Sequence, residues 1–140
     1  MKFTLEIITP ERVAFSEEVS AVFVPTINGT IGVLPKHVPL FTSLTEGEIK
    51  VVTDKKELFL AIGGGFMEVT KDRVSILVSR AVHADELNEE DIKKARKQAA
   101  DLLTHKGEFK DIAAAQAVLR RSMIEMRVLD KIKNRKRMVS

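Results

Sequence analysis

The 140-residue chain is long enough for one ordinary hydrophobic core, or for a small core with an appendage, and its composition is close to the globular average. It contains no cysteine, which excludes a disulfide framework, a thiolate metal site and a cysteine nucleophile. No run of residues has the apolar length of a transmembrane helix, and the strand-like sequence that follows Met1 predicts no signal or transit peptide.

The net charge of +3 is unevenly divided along the chain. Residues 1–86 contain 9 basic and 12 acidic side chains, a balance of −3, whereas residues 87–140 contain 14 basic and 8 acidic ones, a balance of +6. The basic part should be attracted to an acidic protein segment, a nucleic acid or an anionic lipid surface.

As far as about Ala84 the sequence has the pattern of β-strands. Apolar residues alternate with polar ones, or form short runs of branched residues, at Phe3–Ile7, Val19–Phe23, Ile49–Val51, Leu58–Ile62 and Val74–Val78. Turn-forming pairs such as Asn28-Gly29 and Glu46-Gly47 separate these segments. Many short strands joined by turns predict a sandwich or a barrel.

At Leu87 the period of the apolar residues changes to that of helices. Asn88 is a suitable N-cap for a first helix, which should end within Thr104–Gly107. A second helix should begin near Phe109 and run to about Ile132. The predicted apolar faces are Ile92, Ala95, Ala99, Leu102 and Leu103 in the first helix, and Ile112, Ala115, Leu119, Ser122, Met126 and Leu129 in the second. The short break predicts an antiparallel hairpin, and the narrow, alanine-rich faces predict that it is weakly held.

Gly63, Gly64 and Gly65 could form either a phosphate-binding loop or a structural turn. A phosphate-binding loop needs a following Lys-Ser/Thr pair and a helix, whereas Phe66–Val69 continues as a strand. We therefore expect a turn or bulge, in which glycine is required either for a positive φ or for a close backbone approach.

No combination of residues indicates catalysis or metal binding. His37 lies between Pro35 and Pro39, and the other histidines, His83 and His105, stand at no metal-ligand spacing from it. Strand alternation places Glu68 towards solvent or an interface. The chain is therefore expected to have no catalytic residue, no metal and no cofactor, and the prolines around His37 favour a preformed docking loop.

The two glycine-rich segments and the helical tail, taken together, resemble one family. Gly29-Thr30-Ile31-Gly32-Val33-Leu34-Pro35-Lys36-His37-Val38-Pro39-Leu40, then Gly64-Gly65-Phe66-Met67-Glu68-Val69, then two helices, is similar to the epsilon subunit of bacterial F-type ATP synthase. The resemblance implies an α+β fold, with a flattened β-sandwich of about ten strands in residues 1–86 and a two-helix hairpin in residues 87–140. It also implies a non-catalytic subunit on the cytoplasmic face of the bacterial plasma membrane.

The resemblance further implies partners for the sandwich. In the family it binds the gamma subunit in the central rotor stalk and rests on the membrane ring of c subunits, and it does not itself span the membrane. The ring contact corresponds to Gly29, Thr30 and Ile31, with His37 close by. The family often has an acidic residue where this chain has Thr30, so shape rather than charge is the expected basis of contact. The residues expected to have structural roles in turns are Gly32, Pro35, Pro39, Gly63, Gly64 and Gly65.

In the family the tail is a switch that extends along gamma towards the alpha and beta subunits and blocks ATP hydrolysis. By that resemblance, the basic residues Arg120, Arg121, Arg127 and Lys131 are expected to pair with an acidic segment of the catalytic subunits. Some members bind ATP through Ile/Leu-Asp-x-x-Arg-Ala at the start of the first helix. In register, Asn88 and Asp91 stand here at the Asp and Arg positions. A shift of three residues recovers Asp91 and Ala95 but loses the apolar lead and puts Lys94 in place of Arg, and lysine lacks the planar fork of arginine, which argues against nucleotide binding.

The basic helices also allow an alternative, a nucleic-acid-binding module. Against it, the chain has no Trp or Tyr on which bases could stack, and acidic residues alternate with the arginines. Steep salt dependence of binding to DNA or RNA would identify such a module.

Overall fold

The computed structural model describes residues 1–104 and 109–139 and separates the chain into two compact units, residues 1–84 and 85–140. The first unit contains ten strands: β1 Phe3–Ile8, β2 Val13–Val19, β3 Ala21–Thr26, β4 Gly29–Val33, β5 Leu40–Leu44, β6 Gly47–Val52, β7 Glu57–Ile62, β8 Gly65–Val69, β9 Arg73–Val78 and β10 Ala81–His83. A 3-10 turn, Ala84–Glu86, follows β10. The second unit contains α1 Glu89–Thr104 and α2 Phe109–Val139.

The ten strands form two five-stranded sheets. Sheet I has the order β2-β1-β9-β8-β5, and sheet II has the order β10-β7-β6-β3-β4. β1 and β9 run parallel, whereas the other paired strands are antiparallel. Packed face to face, the two sheets confirm the predicted ten-stranded sandwich.

The core lies between the two sheets. Its largest fully buried side chains come from both of them: Leu5, Ile7, Met67 and Ile76 from sheet I, and Val22, Val24, Ile49 and Leu60 from sheet II. The sheets are also joined along their edges. Arg12 Nη2 donates to the Ala81 carbonyl oxygen over 2.9 Å, and the Thr45 amide donates to the Pro25 carbonyl oxygen over 3.1 Å. The sandwich is therefore held by a continuous apolar layer and by bonds on two sides.

The expected alternation of Val19, Ala21 and Phe23 is wrong at its last member. The chain bends at Ser20, between β2 and β3, so the inward and outward positions change there. Val22 and Val24 are fully buried, while Phe23 is half-buried on the other side, with Lys50 Nζ 5.4 Å from its ring centroid. One bend is enough to reverse which residues face the core, because side chains of a strand alternate strictly.

The two helices pack on each other, as the predicted hairpin requires. The N-cap is confirmed, because Asn88 Oδ1 accepts from the amides of Glu90 (2.9 Å) and Asp91 (3.2 Å). Of the segment expected to end the first helix, His105–Gly107 lies outside the described residues. α2 continues to Val139 rather than ending near Ile132. Its last turns are rich in lysine and arginine, which favour helix and complement the negative end of the helix dipole.

The buried face of α2 departs from the predicted heptad in its second half. Ala115 and Ser122 are buried as expected, but the next buried positions are Glu125 and Val128 rather than Met126 and Leu129. This shift is to earlier positions, opposite to the roughly 20° per heptad by which a straight helix drifts, so the helical repeat alone does not explain it. In α1, Ile92 and Ala99 are buried, whereas Leu102 is largely exposed at the edge of the seam.

Candidate functional site

The residues expected to contact the membrane ring open strand β4. The turn itself is Ile27-Asn28, closed by Thr26 Oγ1, which donates to the Gly29 carbonyl oxygen over 2.6 Å. Gly29 has φ 111°, which disfavours any residue with a side chain. Ile27 at the tip is 82% exposed, and Thr30 is exposed beside it, while Ile31 packs partly against the core. The hairpin therefore presents a tip with one exposed apolar side chain, Ile27, between polar neighbours.

His37 lies beyond the other end of β4. Its amide donates to the Leu34 carbonyl oxygen over 3.2 Å, and its Nδ1 lies 2.7 Å from the Val38 carbonyl oxygen, so Nδ1 carries the proton. Lys36 has φ 66°, an unusual value for a residue with a side chain. Since β4 is five residues long, roughly 13 Å separates its ends. Gly29 and His37 thus flank the strand on opposite sides and do not form one compact group.

Of the three consecutive glycines, Gly63 and Gly65 are required by close packing, and none of the three has a positive φ. A Cβ on Gly65 would stand 2.0 Å from the Leu77 carbonyl oxygen and 2.7 Å from Val78 Cα. On Gly63 it would meet Ser79 Oγ at 2.3 Å. Of the two explanations that the sequence allowed, the close backbone approach is the correct one. Gly32 has a similar constraint, with the Phe23 ring 2.8 Å from the position of a Cβ.

A row of exposed apolar side chains crosses the outer face of sheet I. Register places Phe66 beside Leu77, Leu77 beside Ile8, and Ile8 beside Val13. Phe41, one strand further, stacks on Phe66 with ring centroids 5.7 Å apart. We call these five residues the apolar stripe. Phe41 is 67% exposed and Phe66 52%, so the stripe is an uncovered apolar surface within the sandwich unit.

Sequence reasoning missed this stripe, although the signal was present. Met67 and Val69 face the core, so Phe66 must face outwards, and the same alternation in β9 turns Leu77 away from Ile76 and Val78. Glu68 is exposed on the same outer face as Phe66, which confirms its expected direction towards solvent or an interface.

The basic residues of α2 divide into a group and an outlier. At about 100° per residue, Arg127 and Lys131 lie within about 20° of Arg120 around the helix axis, and all three are exposed. Arg121 points about 100° away, and its Nε lies 3.8 Å from Glu125 Oε1. Arg121 also borders a cleft of about 220 Å³ between α1 and α2, whose remaining walls are Ala95, Gln98, Ala99, Leu102, Ala114, Ala115 and Val118.

The start of α1 is poorly suited to a phosphate. Asn88 Oδ1 already accepts from the amides of Glu90 and Asp91, which a bound anion would need. Three acidic residues, Glu89, Glu90 and Asp91, occupy this turn. The nearby Glu89 carboxylate contacts Lys93 Nζ at 3.0 Å and also Lys133 Nζ of α2. Hydrogen bonds from Lys133 and then Lys93 hold the pKa of Glu89 below its ordinary value.

Comparison with known proteins identifies the family. Residues 2–84 match the family described as "ATP synthase, Delta/Epsilon chain, beta-sandwich domain". The ATP synthase epsilon chain of Herpetosiphon aurantiacus is 42% identical over 135 residues, covering 96% of this chain and 99% of the relative. That of Dehalococcoides mccartyi CBDB1 is 40% identical over 131 residues, covering 93% and 94%. The chain belongs to the ATP synthase epsilon chain family.

Epsilon chains are non-catalytic subunits of ATP synthase, and the resemblance seen in the sequence is thereby confirmed. A chain in the structure of Euglena gracilis mitochondrial ATP synthase, OSCP/F1/c-ring, has a TM-score of 0.67 and 24% identity, covering 95% of this chain and 80% of that one. A chain in the Tetrahymena thermophila ATP synthase central stalk/c-ring structure has a TM-score of 0.58 and 15% identity, covering 92% and 97%. These two likenesses show the shared fold.

Two further features of the epsilon chain concern metal binding and membrane crossing. Within residues 1–104 and 109–139, no three His, Asp or Glu side chains are placed to hold a metal ion together. His83, one of the histidines considered above, has Nε2 2.6 Å from the Ala14 carbonyl oxygen within the sandwich. In the same part of the chain, neither helix combines the length and hydropathy needed to cross a bilayer.

Proposed function

We propose that this epsilon chain is a rotor subunit of the central stalk, with residues 1–86 as a docking domain and residues 87–140 as a regulatory domain. Family membership and the central-stalk setting of the related Tetrahymena chain support the proposal. The subunit would lie at the cytoplasmic face of the bacterial plasma membrane as a peripheral part of the complex and couple gamma to the c-ring during ion-driven ATP synthesis. It takes no cofactor.

The observation that carries the proposal is the apolar stripe. A row of apolar side chains that stays exposed on a sandwich marks a protein interface, and aromatic anchors dominate the binding energy of such interfaces. Phe41 and Phe66 are stacked and therefore already ordered, so they lose little side-chain entropy on binding. We assign the stripe to the gamma subunit.

The test is the affinity for purified gamma. Replacing Phe41 and Phe66 by serine should weaken binding at least about tenfold, as loss of two interface anchors does. Glu68→Ala is the matched control, because Glu68 lies on the same face two residues from Phe66, and it should change the affinity less than about twofold. A folded Phe41→Ser/Phe66→Ser protein that binds gamma as tightly as the wild type would refute the assignment.

The tip of the β3–β4 hairpin is proposed as the c-ring contact, with Gly29, Thr30 and Ile31 at its base, Ile27 at its apex and His37 flanking it. Shape would carry this contact, because the tip is uncharged and the backbone at Gly29 has a conformation that glycine favours. Gly29→Val should weaken assembly with the c-ring and leave gamma binding intact, while Thr30→Ala should leave both unchanged. Equal loss of gamma binding in Gly29→Val would contradict the separation of the two surfaces.

The hairpin is proposed to inhibit ATP hydrolysis by extending between the alpha and beta subunits. Arg120, Arg127 and Lys131 share one face of α2 and would pair with acidic residues there, with Arg121 joining only if the helix turns. Deleting residues 87–140 should raise ATP hydrolysis by the reconstituted catalytic head. Unchanged hydrolysis would leave assembly and coupling as the only role. Charge reversal at the exposed Lys94 and Lys97 of α1 serves as the control for charge reversal at Arg120 and Arg127.

A further inference from the structure

A charged contact between Glu89 and Lys133 joins the two helices of the hairpin near the end farthest from their connection. Glu89 lies in the first turn of α1, and Lys133 lies 44 residues later in α2. Lys133 Nζ contacts Glu89 Oε2, while Lys93 Nζ lies 3.0 Å from Glu89 Oε1. Glu89 therefore contacts one lysine of its own helix and one of the facing helix.

Opening of the hairpin would break one of these two contacts and leave the other intact. The Glu89–Lys93 pair is four residues apart on α1, so it persists whenever α1 is helical. The Glu89–Lys133 pair exists only when the helices lie side by side. In a continuous extended helix, 44 residues would separate the two groups by roughly 66 Å. Of the two contacts of Glu89, the one with Lys133 therefore distinguishes the closed hairpin from the open one.

The composition of the seam between the helices determines how strongly this contact affects the ratio of closed to open hairpins. In the described part of the hairpin only two larger apolar side chains, Ile92 and Val128, are buried, and the other buried positions are small or polar: Ala99, Ala115, Ser122 and Glu125. Such a seam buries little apolar surface, so the closed and open states are close in free energy and a modest contact changes their ratio appreciably. The lowered pKa of Glu89 shows that the carboxylate is charged in the presence of both lysines.

We propose that the Glu89–Lys133 ion pair is a clasp that stabilises the closed hairpin and thereby limits its opening. Lys93 acts as a positioning residue that holds the Glu89 carboxylate towards α2. The regulatory consequence rests on the proposed function, in which opening precedes inhibition, whereas the clasp itself is a property of the isolated chain.

Amide hydrogen exchange of the full-length chain reports opening even when the open state is rare, because helices that have lost their packing partner are marginal in water and lose amide protection. Amides near Ala99 and Ala115, in the half of the hairpin close to the connection, should be monitored because they lie far from the substitutions. Glu89→Lys and Lys133→Glu should each accelerate their exchange roughly two- to fivefold, the size of effect that exposed ion pairs give. The double variant Glu89→Lys/Lys133→Glu should restore most of the wild-type protection.

Glu90→Lys is the matched control. Glu90 is exposed in the same first turn, so its reversal changes the net charge and the interaction with the helix dipole in the same way as Glu89→Lys. The clasp is refuted if Glu90→Lys accelerates exchange as much as Glu89→Lys, or if the double variant is no better protected than the single ones.

The regulatory step is tested separately by ATP hydrolysis of the reconstituted complex. Glu89→Lys should inhibit hydrolysis more strongly than the wild type, and the double variant should return inhibition to the wild-type level. If exchange responds as expected while hydrolysis does not, the clasp stands and the proposed inhibitory role is wrong. If the tail deletion activates hydrolysis but exchange is unchanged by the single variants, the clasp is wrong and the inhibitory role stands.

Discussion

The sandwich and the hairpin are built from opposite kinds of interior. Between the two sheets, large branched side chains such as Leu5, Ile7 and Ile49 are completely buried. Between the two helices, the buried positions include alanines, Ser122 and Glu125. A close-packed interior of large side chains cannot be rearranged without losing most of its burial, whereas a seam of small and polar groups can separate at little cost. We therefore expect the sandwich to keep its structure while the hairpin can open.

The largest expected effect comes from truncating the sandwich core. Ile76→Ala removes a fully buried side chain from β9 and should lower the free energy of unfolding by about 3–4 kcal/mol, measured by urea denaturation. Val128→Ala, the hairpin counterpart, should open the helices while leaving exchange of the sandwich amides unchanged. Loss of protection in β1 and β9 on Val128→Ala would show that the two interiors are not independent.

The next effect concerns the glycines that allow the strands of sheet I to approach closely. Gly65→Ala places a Cβ against the backbone of Leu77 and Val78 and should destabilise the sandwich by about 2–3 kcal/mol. Gly64→Ala is the control, because its nearest neighbour, the Leu44 carbonyl oxygen, is 3.3 Å away. The stabilities of the two variants are compared by thermal unfolding. Equal destabilisation by Gly65→Ala and Gly64→Ala would contradict the packing explanation.

These glycines also show what the sequence could and could not predict. Alternation and turn residues were sufficient for five strand segments and for a sandwich or barrel, whereas the number of about ten strands came from the family resemblance. The change of period at Leu87 was sufficient for the helices, because such signals are local. The reason for Gly65 was not predictable, since it depends on which strand becomes its neighbour. The same applies to the apolar stripe, which assembles from residues on β1, β2, β5, β8 and β9 only once the strand order is known.

The errors in the sequence predictions have a similar cause. The bend at Ser20 reversed the facing of Phe23, and the buried face of α2 includes Glu125 and Val128 rather than Met126 and Leu129. Both depend on the path of the backbone and on which side of an element is covered, which residue types do not specify. The Glu89–Lys133 contact joins residues that are 44 positions apart and was likewise invisible before the helices were placed side by side.

A smaller effect is expected in the segment between the prolines. Lys36 has φ 66°, and glycine adopts this conformation more easily, so Lys36→Gly should stabilise the sandwich by about 0.5–1 kcal/mol after the loss of chain entropy is included. Lys36→Ala removes the same charge without relieving the backbone and is not expected to stabilise. Denaturant midpoints of the two variants would separate these cases, and a stabilised Lys36→Ala would contradict the conformational explanation.

The smallest effect is the pH dependence of two exposed ion pairs, one in each unit. Lys133 and Lys93 lower the pKa of Glu89, and Lys2 lowers the pKa of Asp54, below the ordinary value of each acid. Each acid therefore contributes stability above its ordinary pKa and loses that contribution as the pH falls through the lowered value. Protection of the Ala99 amide, taken relative to its intrinsic exchange rate at each pH, should fall in acid in the wild type and less so in Glu89→Gln. Asp54→Asn should have no such effect on the hairpin, and an equal effect would contradict a local role for Glu89.

The most direct test of the contrast between the two units uses pairs of spin labels, which the cysteine-free chain accepts at chosen positions. One pair, at the exposed Ser16 and Ser43, measures the sandwich, and another, at the exposed Lys97 and Met123, measures the hairpin. Both distances are compared between the free chain and the assembled complex under inhibited conditions. We expect the sandwich distance to stay constant and the hairpin distance to lengthen. A hairpin distance that is identical in both states would contradict the account.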